Sequence, residues 1–313
     1  MSRTLVTGAT GFIGRRLLEG DAVPLVRRPS SLLNERVADL ADLKALQRAC
    51  EGVTTVFHCA GYAQARSAGD ADTHWKVNLR GTQNLLEASR SAGVKRFVFL
   101  SSVKAMAEPG AQCVDEDWPG APLTPYGQAK RAAENVVLEV GAKYGVHVVI
   151  LRLAMVYGKH SQGGLASLAK GLSRWWFPCL PETGNMRSLV HVDDVVDAIH
   201  LVAKTAVANG RTYIVADPTA YSSHALCKAI RSVSGGTGYS WSLPESVLRL
   251  GGVSGDVIGA LLKSPIKVNS QIVSRLLDSE HFSPERIRLD LGWEAKVKLL
   301  DGLREMLLPE LQK

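Results

Sequence analysis

The stretch VTGATGFIG, residues 6–14, constrains the fold more than any other. It spaces Gly8, Gly11 and Gly14 three residues apart. A short β-branched strand over residues 4–7 precedes it. An apolar-periodic run, FIGRRLLEG, follows and reads as a helix ending near Gly20. Glycine permits a tight turn and lets a ligand approach the backbone closely. A helix start adds unpaired N–H groups and the positive end of its dipole. Strand, glycine turn and helix in that order suit the pyrophosphate of a dinucleotide. The spacing is G-x-x-G-x-x-G, so it does not count as the G-x-G-x-x-G fingerprint.

The same rhythm continues along the chain. AVPLVRR, VTTVFHCAG, KRFVFLSS and VHVVILRLAMVYG read as strands. Helices are predicted over residues 43–50 and 77–92 and over PYGQAKRAAENVVLEVGAKYG. Near-continuous apolar strands alternating with helices mean a parallel sheet covered on both faces. After Gly158 the rhythm breaks. KHSQGG is a loop, a helix runs from about Leu165 to Ser173, and RSLVHVDDVVDAIHLVAK is a strand entering a helix. RTYIVAD is a strand, and beyond Pro218 come helices and loops with SVSGGTG as a turn. The expected class is α/β: a Rossmann-like doubly wound parallel sheet with a smaller C-terminal substrate lobe. The dinucleotide-binding part takes residues 1–157 and 188–217, and the lobe takes 158–187 and 218–313.

Composition narrows the ligands. The net charge of +7 favours anionic groups such as phosphates. The basic residues are scattered with no long run, which argues against nucleic acid. Five widely spaced cysteines without a CxxC pair argue against a zinc site or disulfide framework and fit a reducing, cytoplasmic setting. A strand begins almost at Met1, so no signal peptide is expected, and no apolar run approaches ~18 residues. His58, His191 and His200 lie in apolar contexts without ligand-like spacing and read as structural.

The second strand ends in Arg27 and Arg28. An acid there would bind the ribose hydroxyls of NAD, whereas arginine pairs with the 2′-phosphate of NADP. Asp39 and Leu40, after a third short strand, are adenine contacts in this reading. Further on, Tyr126 and Lys130 stand four apart on a predicted helix, which places them on one face. A phenol near 10 is too weak a base at neutral pH, and an adjacent ammonium lowers it. With Ser101 and Ser102 at a strand end, the pair suits interconversion of an alcohol and a ketone.

In TGATGFIG, VFHCAG, NLRGTQNLLEA, FVFLSSVKAM, PYGQAK, LRLAMVYG, RSLVHVDD and LGW, spread over residues 4–293, the chain resembles the extended short-chain dehydrogenases/reductases. Within them it is similar to the NAD(P)-dependent epimerase/dehydratase group. The resemblance implies Tyr126 as acid/base residue, Lys130 as its modulator and holder of the nicotinamide ribose, and Ser102 on the reacting oxygen. It implies Asn78 as a support of the active site. It implies Gly8, Gly11, Phe12, Ile13, Gly14, Arg27, Arg28, Asp39, Leu40 and Ala60, with Tyr126 and Lys130, around the cofactor. Arg187 is implied on the diphosphate of a nucleotide sugar, with Arg275 as a weaker phosphate contact and Lys104 reaching phosphates or hydroxyls. A homodimer through the helices of Tyr126 and of residues 77–92 is a further implication.

The departures matter as much. Related dehydratases carry an Asp-Glu pair after the strand-end hydroxyl, where this chain has Val103 and Lys104. Valine can neither give nor take a proton, so elimination of water is not expected. Val103 also stands where some epimerising relatives carry a cysteine, and Met155 where sugar epimerases carry an asparagine. Hydride chemistry at one carbinol carbon, most simply C4 of a UDP-linked sugar, remains. Arg27 and Arg28 lean toward NADPH and 4-keto reduction, with a 4-epimerase retaining NAD as the alternative. RWWFP (residues 174–178) and VLRLGGVSGDVIGALL leave room for a non-sugar ketone. A non-catalytic dinucleotide sensor would not need Ser102, Tyr126 and Lys130.

Overall fold

The computed structural model describes residues 3–63, 70–161, 163–172, 177–235, 241–262 and 269–311, with only the backbone at Asp70, 257–262 and 308–311. Residues 174–176 of RWWFP and the end of SVSGGTG fall outside the described residues, as do the side chains of 257–262 in the apolar run.

The apolar strands assemble into one sheet. Its strands are β1 (Arg3–Thr7), β2 (Ala22–Val26), β3 (Arg36–Val37), β4 (Val53–His58), β5 (Arg96–Ser102), β7 (His147–Leu153) and β10 (Arg211–Val215). Their order is β10-β7-β5-β4-β1-β2-β3, all parallel. The order reverses between β1 and β4, which opens a crevice at their carboxyl ends. There Thr7 is in register with both Leu25 and His58.

Successive side chains on a strand point to opposite faces, so each strand feeds two cores. Leu5, Phe97 and Phe99 join the core beneath α1 (Leu43–Cys50), α3 (Gly81–Ser91) and α4 (Pro125–Tyr144). Val6, Val98 and Leu100 join the core beneath α6 (Val192–Lys204). α2 (Asp70–His74) precedes α3 across a π-helical stretch, Trp75–Arg80. A third core gathers Tyr157 and Leu189 with side chains of α5 (Gly164–Leu172), α7 (Ser223–Val233), α9 (Ser270–Leu277) and α11 (Leu299–Leu311). α8 (Glu245–Leu262) lies against α9, and α10 (Glu285–Leu291) against β10. Two small parallel sheets, β6 (Cys113–Val114) with β11 (His281–Phe282) and β8 (Met155–Tyr157) with β9 (Leu189–His191), stand apart from the main one. No helix among the described residues is long and apolar enough to cross a membrane.

Three expectations about elements are corrected. The helix after the glycine turn is only a 3₁₀ turn, Gly14–Leu17, ended by Leu18 at φ −88° and ψ 61°. β2 begins at Ala22, which leaves no length for a longer crossover helix. VHVVILRLAMVYG is two strands: the chain leaves the main sheet at Ala154, whose N–H donates to Val215 O at 3.1 Å, and β8 pairs elsewhere. The helix expected over 77–92 begins as the π stretch, a widened turn often found at functional sites.

Candidate active site

The glycine turn sits at the crevice and leaves no room for side chains. Gly8 adopts φ +66°, and a β-carbon there would lie 2.8 Å from Ala60 N. One on Gly14 would lie 2.2 Å from Gly8 O, and one on Gly11 2.9 Å from it. Gly11 N closes the turn by donating to Gly8 O at 2.8 Å. The amides of Phe12 and Ile13 have no hydrogen-bond partner among the described residues, which suits an anion. Arg15, missed in the sequence, lies over the turn and donates to Gly11 O and Thr10 O at 3.1 and 3.2 Å. Arg27 and Arg28 are exposed where β2 ends, one strand away. Asp39 accepts from Ala41 N at 2.9 Å, and Leu40 is half-buried against Gly81.

A buried chain of hydrogen bonds runs from this turn toward Asn78. Ala60 N donates to Thr7 Oγ1 at 3.0 Å, and Thr7 Oγ1 lies 2.8 Å from His58 Nδ1. His58 Nε2 lies 2.9 Å from Thr82 Oγ1, which donates to Asn78 O at 2.7 Å. Since the Thr82 proton is spent on Asn78, Nε2 carries the imidazole proton and Nδ1 accepts from Thr7. Burial, aided by the Lys130 charge, pushes His58 down to about 3, so the ring is neutral. The structural reading of His58 thus has its partners.

Asn78 pairs with the backbone of Tyr62, accepting from its N–H at 2.7 Å and donating to its carbonyl at 2.9 Å. Beside it a β-carbon on Gly61 would meet Asn78 Oδ1 at 3.2 Å and Lys130 Nζ at 3.6 Å. Lys130 is buried, donates to Leu100 O at 2.7 Å and lies 4.5 Å over the Phe99 ring. Burial lowers it to about 8, partly offset by Glu134.

The two serines at the end of β5 have separate tasks. Ser101 Oγ donates to Glu134 Oε1 at 2.5 Å. Glu134 also accepts from Arg152 Nη2 at 2.8 Å, and Arg152 Nη1 donates to Glu116 O at 3.1 Å. This buried ion pair braces α4 against β5 and β7, and the sequence reading missed it. Ser102 Oγ accepts from Lys104 N at 3.2 Å. Thr124 caps α4 by accepting from Gly127 N at 3.1 Å, with Pro125 in its first turn.

Burial raises the Tyr126 phenol above its ordinary value, and the Ser102 hydroxyl offsets part of the rise. Lys130, expected to lower the phenol, donates one of its ammonium protons to Leu100 O. His74, also missed, packs its ring 5.5 Å from that of Tyr126, edge to face. Its Nδ1 lies 3.1 Å from Tyr62 O, so Nδ1 carries a proton.

The proposed substrate contacts are otherwise engaged. Arg187 is not free for a diphosphate. It is buried, donating to Arg275 O at 2.7 Å, Asp278 O at 3.1 Å and Glu280 Oε2 at 3.0 Å. Lys104 pairs with the other oxygen of Glu280. Arg275 is exposed and meets Arg187 through its carbonyl. Val103 is buried, and burial raises the Cys113 thiol. Elsewhere His191, Asp193 and Glu305 hold ligand atoms within 4.8 Å of one another, but the Arg16 guanidinium is paired with both acids.

The model of the NAD dependent epimerase/dehydratase family matches residues 4–216. The chain belongs to that family. Among its curated relatives is the N-acetyl-α-D-glucosaminyl-diphospho-ditrans,octacis-undecaprenol 4-epimerase of Escherichia coli O157:H7. It is 27% identical over 309 residues, covering 96% of this chain and 92% of that one. The UDP-glucose 4-epimerase of Vibrio cholerae is 28% identical over 319 residues, covering 96% and 93%. Among solved structures, the UDP-glucose 4-epimerase of Thermus thermophilus in complex with NAD superposes with a TM-score of 0.74 at 25% identity, covering 99% of each chain.

A family member uses a nicotinamide dinucleotide, and the residues here fit one. The turn has no side-chain volume at Gly8, Gly11 or Gly14, Arg15 is bonded to it, and Arg27 and Arg28 are exposed at the end of the adjacent strand β2. Bound there, the dinucleotide supplies hydride chemistry, and the protein supplies position and proton transfer.

Proposed function

We propose that this protein is an NADPH-dependent reductase of a 4-keto nucleotide sugar, most simply a UDP-linked one. The observation that carries the reading is the end of β2, where Arg27 and Arg28 stand exposed with no acid beside them, and Tyr126 beside Ser102 is the matching proton donor. Reduction needs a proton donor at the oxygen that becomes an alkoxide. A protonated phenol is such a donor. The Lys104 N–H on Ser102 Oγ leaves the serine proton free to donate, so Ser102 can hold the reacting oxygen beside Tyr126. Lys130, fixed by Leu100 O and flanking Gly61 with Asn78, would meet the nicotinamide ribose. Exposed Arg27 and Arg28, with no acid at the end of β2, support NADP over NAD. Residues 158–187 and 218–313 would form the substrate lobe.

The two curated relatives named above support a second reading. Both are 4-epimerases, one of a UDP-sugar and one of a sugar on a lipid diphosphate. A retained NAD and net exchange of C4 epimers would then be found. Typing the cofactor that leaves the denatured protein separates the two. Loosely held NADPH supports the reductase, and tightly kept NAD contradicts it.

A further inference from the structure

Glu280 stands between two cations that the sequence reading gave to the substrate. Its backbone is pinned beside Arg187: Glu280 N donates to Met186 O at 2.8 Å, and Ser188 N to Glu280 O at 2.9 Å. One carboxylate oxygen accepts from Arg187 Nη2 at 3.0 Å, and the other pairs with Lys104, 176 residues away. The pair thus joins the catalytic end of β5 to the loop between α9 and β11. Among the described residues, neither Lys104 nor Arg187 has another acidic partner. The carboxylate of Asp278 is turned to Arg249 at 3.1 Å.

We propose that Glu280 is an intramolecular competitor for the substrate's diphosphate, holding Lys104 and Arg187 in the unliganded protein and yielding Lys104 when the phosphates arrive. This rests on the nucleotide-sugar reading above. Lys104 is the cation that can change partner, since its side chain is 42% exposed against 8% for Arg187. Glu280 can rotate but cannot leave, because its backbone is hydrogen-bonded on both sides. It therefore competes at a high and constant local concentration. Such a competitor weakens substrate and product binding alike. Uniformly tight binding does not raise kcat, and slow product release limits many enzymes. Glu280 then keeps the diphosphate from being held too long.

A simple brace that orients the two cations would have the opposite signature, since its neutralisation would weaken anion binding. The test is calorimetric titration of UDP into the full-length protein, its Glu280→Gln variant and the Glu280→Gln/Lys104→Met double variant. Competition requires UDP to bind Glu280→Gln about tenfold tighter, which is about 1.4 kcal/mol, and the double variant to lose most of that gain. Equal or weaker binding by a folded Glu280→Gln protein overturns the proposal. Should that variant not fold, Glu280→Asp, too short to span both cations, takes its place with the same two outcomes. If neither wild type nor variant binds UDP, the nucleotide-sugar reading fails. Inorganic pyrophosphate then decides this proposal alone, tightening in support and no change against.

Discussion

Gly127 and Lys104 touch so closely that a β-carbon on Gly127 would stand 2.1 Å from Lys104 O. This contact seats the first turn of α4 on the end of β5, and it brings Tyr126 to Ser102. Gly127→Ala must push the helix off the strand. A loss of roughly 1–3 kcal/mol of stability is expected, the usual cost of overpacking, with kcat falling further than the melting temperature alone explains. Thermal melts paired with turnover measurements check it.

Glu134→Gln is expected to be among the most disruptive single changes. It removes the negative partner of Arg152 and leaves that guanidinium buried, at a cost of about 3–5 kcal/mol. Replacing both partners with apolar residues of similar volume should cost less than the single change. Chemical denaturation of the single and double variants measures the difference.

The neutral imidazole of His58 sets an acid limit. Burial holds it at about 3 in the folded protein, against an ordinary 6.5. Between those values the unfolded chain binds more protons, so stability rises with pH across the window. Above the upper value this contribution is complete. As pH falls through the window it is lost, by up to about 1.4 kcal/mol per unit. Denaturation curves at stepped pH should show that slope in the wild type and a shallower one in His58→Gln.

The local parts of this site are legible in the chain, and the distant parts are not. Tyr126 and Lys130 are readable because four-residue spacing on a helix is a local property. The three glycines are readable because no other residue fits their turn. The sheet follows from apolar strands alternating with helices. By contrast, the Lys104–Glu280 pair spans 176 residues, and only the folded topology brings it together. Arg187 is given to a diphosphate by the resemblance, yet the end of α9 and the residue after it hold its guanidinium with two carbonyls. The lost helix after the turn is a matter of length, since Ala22 already starts β2. Lys130 shares a helix face with Tyr126 as spacing requires, but it donates one of its ammonium protons to Leu100 O, which spacing cannot show.

Arg27 and Arg28 make the cofactor preference testable. Exchanging both for glutamate should raise the KM for NADPH by about tenfold or more while changing that for NADH much less. A tenfold step corresponds to about 1.4 kcal/mol, within reach of one charge-assisted phosphate contact. Steady-state kinetics with each cofactor give the ratio, and parallel changes in both would assign the arginines to the solvent.

The account rests on Tyr126 as proton donor in an NADPH-driven reduction. The most direct measurement is single-turnover consumption of NADPH by the purified protein with a UDP-linked 4-keto-6-deoxyhexose, wild type against Tyr126→Phe. The expected result is one NADPH oxidised per keto sugar reduced, with the variant slower by roughly 10²–10⁴-fold, the range of a lost general acid, at a nearly unchanged KM. Undiminished turnover by Tyr126→Phe, or exchange of C4 epimers without consumption of NADPH, would contradict it.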